Sequence, residues 1–176
     1  MDWIPPLSLV PRDMIRGDGQ KIFSLGEKSI KISSVISFEG SFERYIRRSV
    51  QGGAELIVIL TNQASYGESG MSDQFILMSR ANAVSTHRDI VHAAITGKSA
   101  FISGVNGKVQ STTELFTRDI STNLLTAYDD RTAYSSWGNY LNYLAIAVGL
   151  IIYSFRNIKT STWSNRHIQN HAFSNI

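Results

Sequence analysis

Few side chains in this sequence have chemical reach. Histidine occurs at four positions, and two pairs have spacings that could hold a metal: His87 with His92, and His167 with His171. The second pair stands at i and i+4, the separation that stacks two imidazoles on one helix face. The first pair has no evident third ligand, and the second has no nearby cysteine or carboxylate and reads as solvated tail histidines, so no metal is expected. Cysteine is absent, which removes disulfides, thiolate-bound zinc, iron–sulfur clusters and a thiol nucleophile. No glycine-rich loop leads into a Lys-Ser or Lys-Thr pair, so there is no phosphate cradle and no cofactor is expected. Arg44, Arg47 and Arg48 form a short charge run that reads as a solvated helix face, with lipid-headgroup contact as a weaker alternative.

The elements that must position these groups are those of one ordinary domain. At 176 residues, with 43% hydrophobic and 18% charged side chains, the chain can bury a core and is not disordered by composition. The net charge of +3 suggests a nucleic-acid binder until its distribution is read. Arg156, Lys159 and Arg166 follow Phe155 with no acidic residue beside them, and the charges before that point balance. Aromatic residues are not interleaved with basic ones, so no nucleic-acid partner is expected.

The first twenty residues, with Pro5, Pro6, Pro11, Gly17 and Gly19, read as loop. Strands are expected at Lys21 to Leu25 and Ser29 to Phe38 around a Gly26-Glu27 turn. A helix follows over Ser41 to Val50, with Phe42, Tyr45, Ile46 and Val50 on one face, and Gly52-Gly53 ends it. Glu55 to Leu60 has the continuous apolar character of a strand buried on both faces. Ser72 is the expected N-cap of a second helix reaching about His87. Ile90 to Ile95 and Ser99 to Val105 read as strands, Asn106-Gly107 as a hairpin turn into Lys108 to Gln110, and Asp119 to Leu125 as one more strand. Alternating strands and helices before a hairpin predict an α/β domain.

From Thr132 to Phe155 there is no charged residue. The 19 positions from Trp137 to Phe155 would give roughly 28 Å of helix, close to a bilayer's hydrocarbon thickness. Trp137, Tyr140 and Tyr143 flank one end and Tyr153 and Phe155 the other, as interfacial aromatics do, against the alternative of a buried core helix. The division expected is therefore an extracytoplasmic domain over 1–136, a transmembrane helix over 137–155 and a basic cytoplasmic tail over 156–176. Met1-Asp2-Trp3-Ile4-Pro5-Pro6 has no signal-peptide character, so the chain is expected to be the C-terminal piece of something longer.

The order of several motifs resembles a known family. Val35-Ile36-Ser37-Phe38-Glu39 at a strand end is followed by Gly52-Gly53-Ala54-Glu55 and the strand running to Thr61-Asn62. Tyr66-Gly67, Gln74, Met78-Ser79-Arg80, Gly97-Lys98-Ser99-Ala100, Asn106-Gly107 and Leu115-Phe116-Thr117-Arg118 come next, then Tyr134 and Trp137-Gly138 before the apolar segment. Over about residues 15–155 this resembles the C-terminal part of the bacterial apolipoprotein N-acyltransferases of the nitrilase, or carbon–nitrogen hydrolase, superfamily. The resemblance implies part of a nitrilase-like four-layer αββα sandwich followed by one transmembrane helix, at the bacterial cytoplasmic (inner) membrane. It implies acyl transfer from a phospholipid donor, through a cysteine thioester, to the N-terminal amine of a diacylglyceryl-cysteine lipoprotein.

The resemblance puts Ser37 at the position of the Cys nucleophile and Glu39 at that of a supporting carboxylate. A serine hydroxyl is far less acidic than a thiol and needs a dedicated base. The family's Glu base and Lys belong to segments preceding the motifs matched here; Glu27 and Lys28 are the nearest local carboxylate and amine, and they match no family motif. Ser37 therefore reads as a buried strand serine or as a nucleophile without partners. Glu39 supports the site or pairs with Arg44, Arg47 or Arg48. Asn82, Ser85, Ala133 and Ser136 also stand where the family commonly has arginine, glutamate, proline and arginine. The expectation is a chain inactive alone, with two alternatives: a non-catalytic membrane-anchored module, or half of a split enzyme whose partner supplies the upstream part.

Overall fold

The computed structural model describes residues 17–140 and 142–156. Strands β1 (Ile22–Leu25), β2 (Ile30–Ile36), β3 (Leu56–Thr61), β4 (Ile90–Ala94), β5 (Ala100–Ile102) and β6 (Val109–Thr112) form one six-stranded sheet in sequential order. The pairs β2–β3 and β3–β4 are parallel, and the outer pairs are antiparallel hairpins. Helices α1 (Glu43–Gln51) and α2 (Met71–Thr86) make the two crossovers between parallel strands. Both crossovers step the same way along the sheet, so right-handed connections put both helices on one face. The architecture is α/β with a mixed sheet, as the alternation of elements predicts.

The core lies between that face and the helices. Val35, Ile57, Ile59, Ile90, Ala100 and Ile102 from the sheet meet Ile46 and Val50 of α1 and Ile76 and Ala83 of α2. The opposite face is open: side chains alternate along a strand, and among the described residues nothing is layered on that side. Ile57 and Ile59 are buried while Leu60 beside them is 46% exposed, so β3 is buried on one face and not on both. Phe23, Leu25 and Ile36 are exposed on neighbouring strands.

Several local expectations shift for identifiable reasons. Gly70 is the N-cap of α2, and Ser72, the expected cap, is a buried residue inside the helix. No strand forms at Asp119 to Leu125. There the Asp119 and Asn123 side-chain Oδ1 atoms accept the next residues' amides, at 2.7 and 2.8 Å, in place of a ladder. That segment is instead a strap along one end of the sheet. Thr126 N donates to Asp89 Oδ2 (2.8 Å) and Tyr128 N to Glu55 O (3.4 Å). The buried Arg88 donates from Nε to Ala54 O (2.8 Å) and from Nη2 to Asp130 O (2.5 Å).

The single helix expected over 137–155 is divided. Helix α3 (Ala133–Trp137) stops at Gly138, which has φ +55 and faces the Arg47 guanidinium where a Cβ would stand, 2.8 to 3.0 Å away. A second helix, α4, takes in Tyr140 and residues 142–156, all of them exposed. Its 16 described residues give about 24 Å, less than the roughly 30 Å of a bilayer core. Among the described residues no helix is long and apolar enough to cross a membrane. The tail beyond Arg156, with His167 and His171, lies outside the described residues.

Candidate functional site

Strand β2 ends at Ile36, and Ser37 opens a 3-10 turn over Ser37–Ser41 at the C-terminal end of the parallel strands. Ser37 has φ +53, a left-handed conformation that is uncommon for a residue with a Cβ and is held only where surroundings enforce it. The enforcing contacts can be named. Ile36 N donates to Glu39 Oε2 at 3.4 Å, Phe42 N to Glu39 O at 3.1 Å, and Asn82 Nδ2 of α2 to Gly40 O at 3.0 Å. A Cβ on Gly40 would stand 2.6 Å from Ile59 Cγ2, so only glycine lets the turn sit this close to β3. Phe38 packs edge-on against Phe42 and Phe75, with centroids 5.3 and 5.8 Å apart.

Ser37 is exposed, which removes the buried-strand reading. Glu39 makes no ion pair with the α1 arginines: the pairs among the described residues are His87–Asp130, Arg88–Asp130 and Lys98–Asp73. Its carboxylate closes the turn instead. Glu27 and Lys28 lie in the hairpin turn closed by Ser29 N and Gly26 O (3.1 Å), at the far end of β2 from Ser37. Seven strand residues separate the two ends by roughly 20 Å, too far for either group to act as the serine's base.

Two concavities share Ile36 as a wall. One, of about 490 Å³, is an apolar cleft on the open face, lined by Ile36, Leu60, Thr61, Ala93, Ala94 and Ile95 along with Asn62. The other, of about 650 Å³, is polar and includes Lys21, Ser34, Glu39, Tyr45 and Arg48.

Beneath the turn lies a polar network that sequence reasoning missed. His92 is fully buried; its Nδ1 is 3.0 Å from Ser79 Oγ and its Nε2 3.2 Å from Gln63 Nε2. Gln63 Oε1 accepts from Ser72 Oγ at 2.5 Å. Since the amide nitrogen of Gln63 only donates, His92 Nε2 accepts and Nδ1–H donates, giving a neutral imidazole. Gly97 belongs to the same packing, because a Cβ there would fall 1.9 Å from Gln63 Oε1. The two histidines weighed for metal binding do not converge: His87 pairs with Asp130 at 2.7 Å, and His92 is saturated inside the core. Among the described residues no group of three or more His, Cys, Asp or Glu could hold a metal ion.

Burial pushes His92 down to about 4 from its ordinary 6.5. The unfolded chain therefore takes up this proton first, so the contribution is complete above about 6.5 and is lost as pH falls toward 4. The expected loss is about 3 kcal/mol across that window. Urea unfolding at stepped pH measures it, and His92→Gln flattens that part of the profile. A profile unchanged by His92→Gln would show that other groups carry the dependence. The Asp130 carboxyl, held below its ordinary range by the His87 hydrogen bond, contributes only at lower pH.

Serine on a strained turn at the carboxyl end of parallel strands, beside an apolar cleft, defines an α/β protein with a candidate site at its strand ends. No family model matches the chain. The chain is nevertheless a distant homologue of the apolipoprotein N-acyltransferases over most of its length. It is 25% identical over 158 residues to the enzyme of Geobacter metallireducens, covering 86% of this chain and 30% of that protein. It is 30% identical over 128 residues to that of Rickettsia bellii, covering 72% and 25%. With the Mycolicibacterium smegmatis protein the figures are 29% over 123 residues, 70% and 20%. The chain thus spans between 20% and 30% of the length of these relatives. A solved amidase of the nitrilase superfamily from Nesterenkonia AN1 aligns with TM-score 0.48 at 15% identity, over 58% of this chain and 40% of that one.

Proposed function

We propose that this chain corresponds to the C-terminal portion of an apolipoprotein N-acyltransferase, and that these 176 residues alone do not transfer an acyl group. The observation that carries the reading is homology over 86% of the chain, a share that cannot avoid Ser37, together with the strained turn Ser37 opens. In the whole reaction a nucleophile attacks the ester carbonyl of a phospholipid, lysophospholipid leaves, and the acyl group passes to the N-terminal amine of a diacylglyceryl-cysteine lipoprotein. The apolar cleft beside Ile36 suits an alkyl chain. Ser37 occupies the nucleophile's position and Glu39 supports the turn, but no described acid, histidine or lysine hydrogen-bonds the Ser37 hydroxyl to take its proton.

The open face of the sheet is, in this reading, where the second half of a nitrilase-like αββα sandwich packs, from preceding chain or from a separate subunit of a split enzyme. The base and the lysine come with that half. Residues 1–136 then lie on the outer side of the bacterial cytoplasmic membrane. The C-terminus is cytoplasmic, and α4 meets lipid with bilayer thinning or snorkelling Arg156 making up its length.

Incubated in lipid with phospholipid and a diacylated lipopeptide, the full chain is expected to give no acylated product. Ser37→Ala should change nothing, and Ser37→Cys should be alkylated rapidly by iodoacetamide because the position is exposed. Palmitate transfer by the chain, or an acyl adduct by intact mass that Ser37→Ala removes, would overturn the inactive reading. The second reading, a non-catalytic membrane-anchored module, is favoured by one observation: the serine's exposure without a base. A cooperative unfolding transition of the isolated chain supports it; co-purification of a second membrane chain carrying the Glu and Lys supports the split enzyme.

A further inference from the structure

We infer that Arg44, Arg47 and Arg48 of α1, together with the root of α4, form a binding surface for the anionic headgroups of a phospholipid bilayer. This rests on the reading that α4 meets lipid. The link between the arginines and that helix is geometric. The Arg47 guanidinium lies against Gly138, between the exposed Trp137 before α4 and the exposed Tyr140 within it. Gln51 of the same helix donates to Ser135 O at 3.0 Å, so α1 is docked along α3 and its arginines keep a fixed level relative to α4. Trp and Tyr at the foot of an apolar helix settle at the headgroup level of a bilayer, the depth at which lipid phosphates lie. A cation held beside them sits at phosphate depth.

The other two arginines extend that site. Arg44, Arg47 and Arg48 span about 6 Å of helix axis and roughly 100° of arc. Arg44 and Arg48 are exposed, and Arg44 lies 4.9 Å over the Phe42 ring and 4.8 Å over the Tyr45 ring, which fixes its plane without neutralising its charge. None of the three has a carboxylate within ion-pair distance among the described residues. The acidic neighbours are Asp18, which shares a cavity with Arg48, Glu39, engaged by Ile36 N, and Glu43, which lies near the Tyr134 hydroxyl and raises its pKa after the larger effect of burial. An acidic soluble protein could match the arginines, but it would leave the apolar side chains of α4 in water. A bilayer with anionic lipid satisfies both.

The test is cosedimentation of the full chain with phosphatidylcholine vesicles and with vesicles doped with phosphatidylglycerol. Wild-type chain should bind both and prefer the doped vesicles, with the preference collapsing at high salt. Each arginine near the surface accounts for about a fivefold preference, so Arg44→Gln/Arg47→Gln/Arg48→Gln should reduce it on the order of a hundredfold while binding to neutral vesicles is unchanged. Should the triple variant fail to fold, Arg44→Gln/Arg48→Gln touches only exposed residues and should lose about 25-fold. A preference that survives these substitutions, or that follows Arg156, Lys159 and Arg166 instead, overturns the inference and leaves the lipid reading of α4 standing. Absence of binding to either vesicle overturns both.

Discussion

Replacing Arg88 with methionine is expected to lower the unfolding free energy by about 3 to 4 kcal/mol, the largest single loss this fold predicts. Arg88 is 1% exposed, and its guanidinium bonds the carbonyls of Ala54, His87 and Asp130. Those carbonyls belong to the loop before β3, the end of α2 and the strap, which otherwise meet at no strand. Methionine fills much of the same volume but leaves the acceptors without a donor, and the cost of unmade bonds to buried oxygens exceeds the packing retained. Asp89 works from the same place, accepting Gly104 N at 2.7 Å and Thr126 N at 2.8 Å. Loss of Arg88 should therefore also speed proteolysis between residues 113 and 132. Urea unfolding in mild detergent gives the free energy, and Arg88→Lys, which keeps the charge and loses the fork, should recover no more than half. A midpoint for Arg88→Met equal to wild type would mean that Asp89 and the other bonds to the strap hold it without Arg88.

The second large effect concerns the open face. Ile36→Lys with Leu60→Lys should raise the concentration at which the chain self-associates by about a hundredfold, since two half-buried contacts of this size are worth about 3 kcal/mol together. Ile36 is 64% exposed and Leu60 46%, and they are register partners across β2 and β3, so the substitutions put two like charges in the middle of the apolar face. Because neither side chain packs into the core, the unfolding midpoint should move little. Light scattering in detergent that covers α4 in both proteins isolates the sheet's contribution. Unchanged association would show that this face is not what drives it. If the chain is joined to a second sheet, the same pair should instead disrupt that assembly, which makes it a probe of the proposed sandwich.

Much of the architecture was legible in the residues. The Gly26-Glu27 and Asn106-Gly107 turns, the Gly52-Gly53 stop and the β-branched runs near Ile57 and Ile90 specify their elements through local backbone preference. The strand–helix–strand–helix–strand order then allows one right-handed arrangement. The motif order around Ser37, with the absence of cysteine, was enough to point to the family and to question the chemistry.

What local signals cannot carry is which distant group each side chain meets. Glu39 beside three arginines reads as an ion-pair partner, yet it folds back on Ile36 N because the turn brings that amide closer. Glu27 and Lys28 are near Ser37 in sequence and a strand's length away in space. Arg88, His92 and Gln63 have no sequence signature, since their burial depends on how the strap, α2 and β3 close over them. The uncharged run from Thr132 is continuous as text but turns in space at Gly138, under Arg47 and ahead of α4. The sequence by itself determined most of the elements and their order, which follow from short-range sterics and periodicity, and its motif order carried the resemblance to the family. Only the tertiary structure decided that Ser37 is exposed on a strained turn, that one face of the sheet is bare among the described residues and that Arg47 lies against Gly138 at the foot of an apolar helix, because each of these is a relation between residues that the chain brings together only on folding.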